Sequence, residues 1–214
     1  MSELLRGLDP VVQALLAGTL CWAIASLGAA MVLIGREWPP AMVDAMLGFA
    51  SGVMLAASFW SLLAPAVALC DAHHVARWLP AVIGFLLGAS CLGLADRMLP
   101  HLHPLLPFDR AEGVRTAWTR GTLLTLAMTL HNIPEGLAVG VAFGAAGQQG
   151  LHGAALPHGA AMALAIGIGI QKFPEGMVLA MPLRAIGVSA RRSFAAGTVS
   201  AAVLITRLSG TALK

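Results

Sequence analysis

An all-α, polytopic membrane bundle is the fold class this sequence predicts. Three observations carry it: charge is scarce, apolar residues fall in long runs, and two of those runs repeat one polar phrase. Of 214 residues, 58% are hydrophobic and 11% are charged, whereas a soluble domain carries about a quarter charged residues. Mean hydropathy is +0.82. Such a chain cannot cover itself with water-facing side chains, so lipid is its expected surroundings and the whole of 1–214 reads as a single transmembrane domain.

The apolar runs lie near 11–35, 43–69, 79–98, 121–146, 156–183 and 195–206. A helix needs about 20 residues to cross a bilayer, which most of these supply, so about six transmembrane helices are expected. The first run is preceded by Glu3, Arg6 and Asp9. That leader lacks the positive bias of a secretory signal and the run is too long for one, so it is expected to stay in the mature protein. The second carries Met54 in the phrase GVML, and the third ends at Arg97. Fourth and fifth hold the repeated phrase. The sixth is interrupted by Arg207 and is the shortest.

Positive loops are retained on the cytoplasmic side. Arg36, then Arg97, Arg110, Arg115 and Arg120, then Arg184, Arg191 and Arg192 follow the odd-numbered runs, while Arg6 and Arg77 fall on the other side. The expected protein is therefore multi-pass in the cell membrane, the inner membrane in a bacterium, with its N-terminus outside. The net charge of +3 reports topology and not nucleic-acid binding. Trp38, Trp78 and Trp118 stand at span ends, where tryptophan either anchors to the interface or simply packs. Cys21, Cys70 and Cys91 have no ligand spacing and are given no role.

An ionisable group in mid-bilayer costs at least about 2.5 kcal/mol and needs a reason. Only Glu135 and Glu175, of ten carboxylates, lie deep inside runs. They share a frame: HNIPEG at 131–136 and QKFPEG at 171–176. Consecutive spans run antiparallel, so this is an inverted repeat of the kind that builds mid-membrane substrate sites. Residues four apart share a helix face, which stacks His131 over Glu135 and Gln171 over Glu175, with Asn132 a step round. Pro134 and Pro174 each leave a carbonyl outside the ladder and kink the helix, while Gly136 and Gly176 permit close helix approach. At 1.5 Å rise per residue, His131 lies roughly 15 Å into its span.

An imidazole, two carboxylates and two amides with no thiolate suit zinc and its first-row neighbours in a weak, exchangeable site. A proton relay or a helix–helix hydrogen bond would use the same groups. Met54 is a candidate thioether ligand beside them, or a gap-filler. His158 either lines an entrance or sits at the interface, and the loop pairs His73–His74 and His101–His103 either gather metal or are solvated. An intramembrane metalloenzyme would want a second histidine where Glu135 stands. No enzyme is expected.

These two phrases on consecutive apolar helices resemble the ZIP family of divalent-metal transporters, and SGVMLAASFWSLLAP in the second run is similar to bacterial members. The resemblance implies an eight-helix fold with both termini outside that moves zinc, and related ions such as cadmium, iron or manganese, toward the cytoplasm. It also implies His131, Asn132, Glu135, Gln171 and Glu175 as metal ligands, with no organic cofactor. Gln171 stands where many members have histidine, and Lys172 where they have Asn or Asp. An inward Lys172 would pair with Glu135 or Glu175 and empty the second position of a two-metal site; an outward one would need another partner; a neutral one is the third option. The expectation is one metal or reduced affinity.

The resemblance further implies that the chain is shortened or altered from about residue 200. Three outcomes are open for such a chain: it leaks, it forms a homodimer that covers its exposed surfaces, or it fails to alternate access. Expected partners are divalent metal ions, the lipid bilayer and a second copy of the chain, with no nucleic acid. Beside transport stands a non-transporting membrane metal sensor or accessory protein.

Overall fold

The computed structural model describes residues 7–35, 38–72, 76, 78–99, 118–147 and 158–211. Among them there is no strand. Six helices follow in chain order: α1 (Pro10–Ile34), α2 (Pro40–Ala57), α3 (Leu79–Met98), α4 (Arg120–Gly147), α5 (His158–Ala185) and α6 (Ala190–Thr211). Proline opens α1, α2 and α3 in the first turn, where its missing N–H costs nothing. Asp9 caps α1 by accepting a hydrogen bond from the Val11 amide at 2.8 Å.

α2 does not stop at Ala57. It runs on through a π-helical turn at Ser58–Leu63 and a last α-helical stretch, Ala64–Ala72. The inserted turn lies where Ala57 and Val53 meet Gly167 of α5. The sequence reading did not anticipate it.

Among the described residues, three segments are long and apolar enough to span a bilayer: Pro10–Ile34, Ala41–Ala68 and His158–Ala185, with mean hydropathy 1.9, 1.7 and 1.2. Leu79–Ala95 is a shorter apolar helix. α4 is as long as α5, but its threonines, His131, Asn132 and Glu135 dilute the apolar signal. These polar groups turn inward or toward a hollow, so dilution here marks a site and not a water-facing helix.

The packing divides the bundle. α1 lies along α5 and α6, α4 lies against α6 and α5, and these four helices form one body. α2 touches that body chiefly through α5, and α3 packs on the end of α2. Most of α3 is bare, with Ile83, Phe85, Leu86 and Leu87 exposed; apolar side chains so placed match a lipid surrounding.

Two glycines bring α1 and α5 into backbone contact. A Cβ on Gly28 would fall 1.9 Å from the Phe173 carbonyl oxygen, and one on Gly176 would fall 2.1 Å from that of Ala25. In lipid, where burial of apolar surface gives no drive, such close approach is the main source of helix association. The second half of α4 and the first half of α5 close on α1 through Val139, Phe143, Leu164, Ile168 and Cys21, all buried. Trp78 and Trp118 stand exposed just before α3 and α4. His73, His74, His101 and His103 lie outside the described residues.

Candidate metal centre

The fourth and fifth predicted spans are α4 and α5, and each carries its Pro-Glu-Gly phrase inside the helix. The two phrases meet. His131 Nε2 lies 3.8 Å from Glu135 Oε1 and 3.8 Å from Glu175 Oε1. One ligand atom from each of these residues falls within 4.8 Å of the others. The i, i+4 spacing put His131 over Glu135; the close packing of α4 and α5 brought Glu175 to both.

The other oxygens of the same carboxylates turn away from the imidazole. Lys172 points inward, 1% exposed, and its ammonium contacts Oε2 of Glu135 and Oε2 of Glu175. It also donates to Asn132 Oδ1 at 2.6 Å. An unpaired charge in this setting would cost several kcal/mol, and three oxygens around one ammonium are what make its burial tolerable. The outward option for Lys172 is thereby closed.

Asn132 and Gln171 serve these groups as holders. The Asn132 amide donates to the Ser200 carbonyl of α6 at 3.0 Å, so α6 fixes the rotamer that presents Oδ1 to Lys172. Gln171 donates through Nε2 to Glu135 Oε1. Its own Oε1 is buried with no hydrogen-bond partner among the described residues. Asn132 therefore lies on the lysine side of the carboxylates, while His131 lies on the other, a division that a shared helical face does not foretell.

His131 is 45% exposed at its side chain because it faces a cavity of about 440 Å³. Met54 and Ser51 of α2, Leu92 and Ala95 of α3, Met128 of α4 and Glu175 of α5 share that cavity. Its lining comes from the first halves of α2 and α4 and the second halves of α3 and α5. In antiparallel neighbours these stretches lie at one end of the bundle. At the other end the Val139–Phe143–Ile168 cluster closes over the carboxylates. Between α1, α4, α5 and α6 a second void, about 10 Å³, touches Lys172, Asn132 and Glu175; that is about the room one water needs.

No family model matches the chain. Curated relatives do. It is 34% identical to the zinc transporter ZIP11 of Xenopus tropicalis, across 94% of this chain and 79% of that protein. The human zinc transporter ZIP11 gives 34% identity over 94% and 80%. This chain belongs to the ZIP family. A bacterial ZIP relative, the zinc transporter GufA of Myxococcus xanthus, is 38% identical over 86% of the chain and 67% of its own length.

Within this ZIP chain, the structure brings His131, Glu135 and Glu175 together and lines the adjoining cavity with Met54. Asn132 and Gln171 are at hand but engaged with Lys172, Ser200 and Glu135. His158 does not join them: its ring packs edge-on against buried Phe143, 6.0 Å between centroids. Sequence reading missed Ser200, whose backbone carbonyl acts irrespective of side chain, and Met128, one of ten methionines with no distinguishing context.

Proposed function

We propose that this chain transports divalent metal ions, zinc first, across the membrane toward the cytoplasm, through one site formed by His131, Glu135 and Glu175. The observation that carries the reading is the split use of two carboxylates: one edge of each faces the imidazole, the other faces Lys172. Imidazole nitrogen and carboxylate oxygen are the donors zinc takes at about 2.0–2.2 Å. Closing 3.8 Å gaps around an ion needs only small side-chain movements. Met54 stands in the cavity as a soft donor for cadmium.

Lys172 takes the part of a permanent second cation. It offsets one of the pair's two negative charges in the absence of metal and keeps their Oε2 atoms from holding another ion. The reading is therefore a one-ion site of moderate affinity, suited to an ion that must also leave. Gln171 positions Glu135, and Asn132 positions Lys172.

Direction rests on the cavity and on arginine placement. The cavity reaches His131 from the end of the bundle where α3 carries Arg97 in its last turn, α4 begins at Arg120 and α5 carries Arg184 in its last turn. By the positive-inside rule that end is cytoplasmic and the N-terminus lies outside. Release inward would follow this cavity, and loading from outside would require the four-helix body to shift against α2, a rigid-body exchange common in transporters.

Lys172 also favours a second reading, a membrane metal sensor or accessory protein that binds without flux, since a fixed cation lowers affinity. Vesicles loaded with a metal-sensitive dye separate the two. Saturable Zn²⁺ entry above empty vesicles, lost in Glu175→Gln, supports transport. Metal binding in detergent with no entry supports the sensor.

A further inference from the structure

A third hollow, about 480 Å³, opens at the same end of the bundle as the cavity that reaches His131 but on the other side of α4. It lies between the start of α4, the end of α5 and the start of α6, away from the cavity that reaches His131. Its long walls are apolar, from Leu126, Leu183 and Val188, and its rim carries Arg192. Arg191 stands exposed beside Arg192. Among the described residues no carboxylate lines the hollow.

The polar part of the lining is a column of threonines. Thr125 and Thr129 spend their hydroxyl protons on the Gly121 and Thr125 carbonyls of their own helix, each at 2.8 Å. Thr119 and Thr122 share one hydrogen bond at 2.9 Å. Their oxygens therefore remain as acceptors toward the hollow. Cation at the rim, hydroxyl acceptors within and apolar walls beyond match a molecule with a negative charge, hydroxyl donors and a hydrocarbon chain. Exposed Trp118, next to the rim, marks this level as the membrane interface.

We infer that this hollow binds one anionic phospholipid from the leaflet that faces Arg191 and Arg192. The phosphate pairs with Arg192, hydroxyl groups of the head donate to threonine oxygens, and an acyl chain lies along Leu126, Leu183 and Val188. Cytoplasmic leaflets are rich in anionic lipid, and basic residues near their surface gain from it. A lipid seated there would brace the junction of α4, α5 and α6, the helices that supply His131, Lys172 and Ser200.

Delipidated full-length chain in detergent is titrated with phosphatidylglycerol or phosphatidylcholine, counting bound lipids by native mass spectrometry and following thermal melting. The expected result is preferential binding of phosphatidylglycerol with a higher melting temperature. Arg192→Gln weakens that binding about fivefold, while Arg97→Gln, an exposed arginine at the end of α3, leaves it unchanged. Equal binding of the two lipids overturns the inference. So does equal loss in both variants, which would mean diffuse surface charge, or displacement of phosphatidylglycerol by inorganic phosphate, which would mean a free-anion site. Melting of lipid-free Arg192→Gln at the parent temperature shows that the variant is folded.

Discussion

Glu135 of α4 and Glu175 of α5 each turn one oxygen to His131 and the other to the ammonium of Lys172. Two buried acids with oxygens within 4.8 Å of each other would repel. The lysine makes the pair stable without metal, and the imidazole leaves one side of the pair able to take an ion.

Replacing Lys172 with methionine keeps the volume and removes the charge. Metal-free protein should lose about 3–5 kcal/mol, the usual cost of leaving buried charges without their partner. Saturating Zn²⁺ should raise the melting temperature of the variant more than that of the parent, because only the variant lacks a resident cation. Equal shifts would mean that Lys172 is not acting as one.

His131 is the outermost member of the cluster and takes no part in the lysine network. His131→Ala should therefore melt within a few degrees of the parent, yet bind Zn²⁺ about tenfold more weakly or worse, a change of about 1.4 kcal/mol. Calorimetric titration beside thermal melts checks both halves.

Glu135→Ala and Glu175→Ala should each abolish saturable metal binding, since each removes one of three donors and leaves Lys172 to cancel the charge of the remaining carboxylate. Unchanged affinity in both would show that the ion binds elsewhere. Met54→Leu should spare Zn²⁺ affinity and lower the preference for Cd²⁺, read as a ratio of dissociation constants, because a thioether helps the softer ion more.

Packing gives a contrast between two glycines. Gly176→Ala pushes a methyl group to 2.1 Å from the Ala25 carbonyl oxygen, a backbone atom that cannot step aside; overpacking of this kind costs about 1–3 kcal/mol. Gly84→Ala on α3 meets nothing within 4 Å and should stabilise its helix by about 0.5–1 kcal/mol. Thermal melting in one detergent compares them directly.

The cluster was legible because its chemistry is local. HNIPEG and QKFPEG place donors four apart on helices whose lack of other carboxylates makes Glu135 and Glu175 conspicuous. Gly176 was legible too, as the point where α5 meets α1, whereas Gly28 on the α1 side was not. What sequence left open was orientation across helices. Asn132 and His131 are neighbours in the chain, yet they end on opposite sides of the carboxylates, because α6 draws the asparagine amide to Ser200. The inward turn of Lys172 is likewise settled by what surrounds it, three oxygens from two helices. The π-helical turn in α2 has no local signature in SFWSLL, whereas α4 was legible as a span although the groups that form the site lower its hydropathy.

The most direct test is a crystal of the purified chain soaked with Zn²⁺, with diffraction recorded across the zinc absorption edge. A single anomalous peak in contact with His131, Glu135 and Glu175, on the side of the carboxylates away from Lys172, is the expected result. Two peaks between α4 and α5, or one that displaces the Lys172 ammonium, would contradict the one-ion site. A peak elsewhere, with none beside His131, would contradict the site altogether.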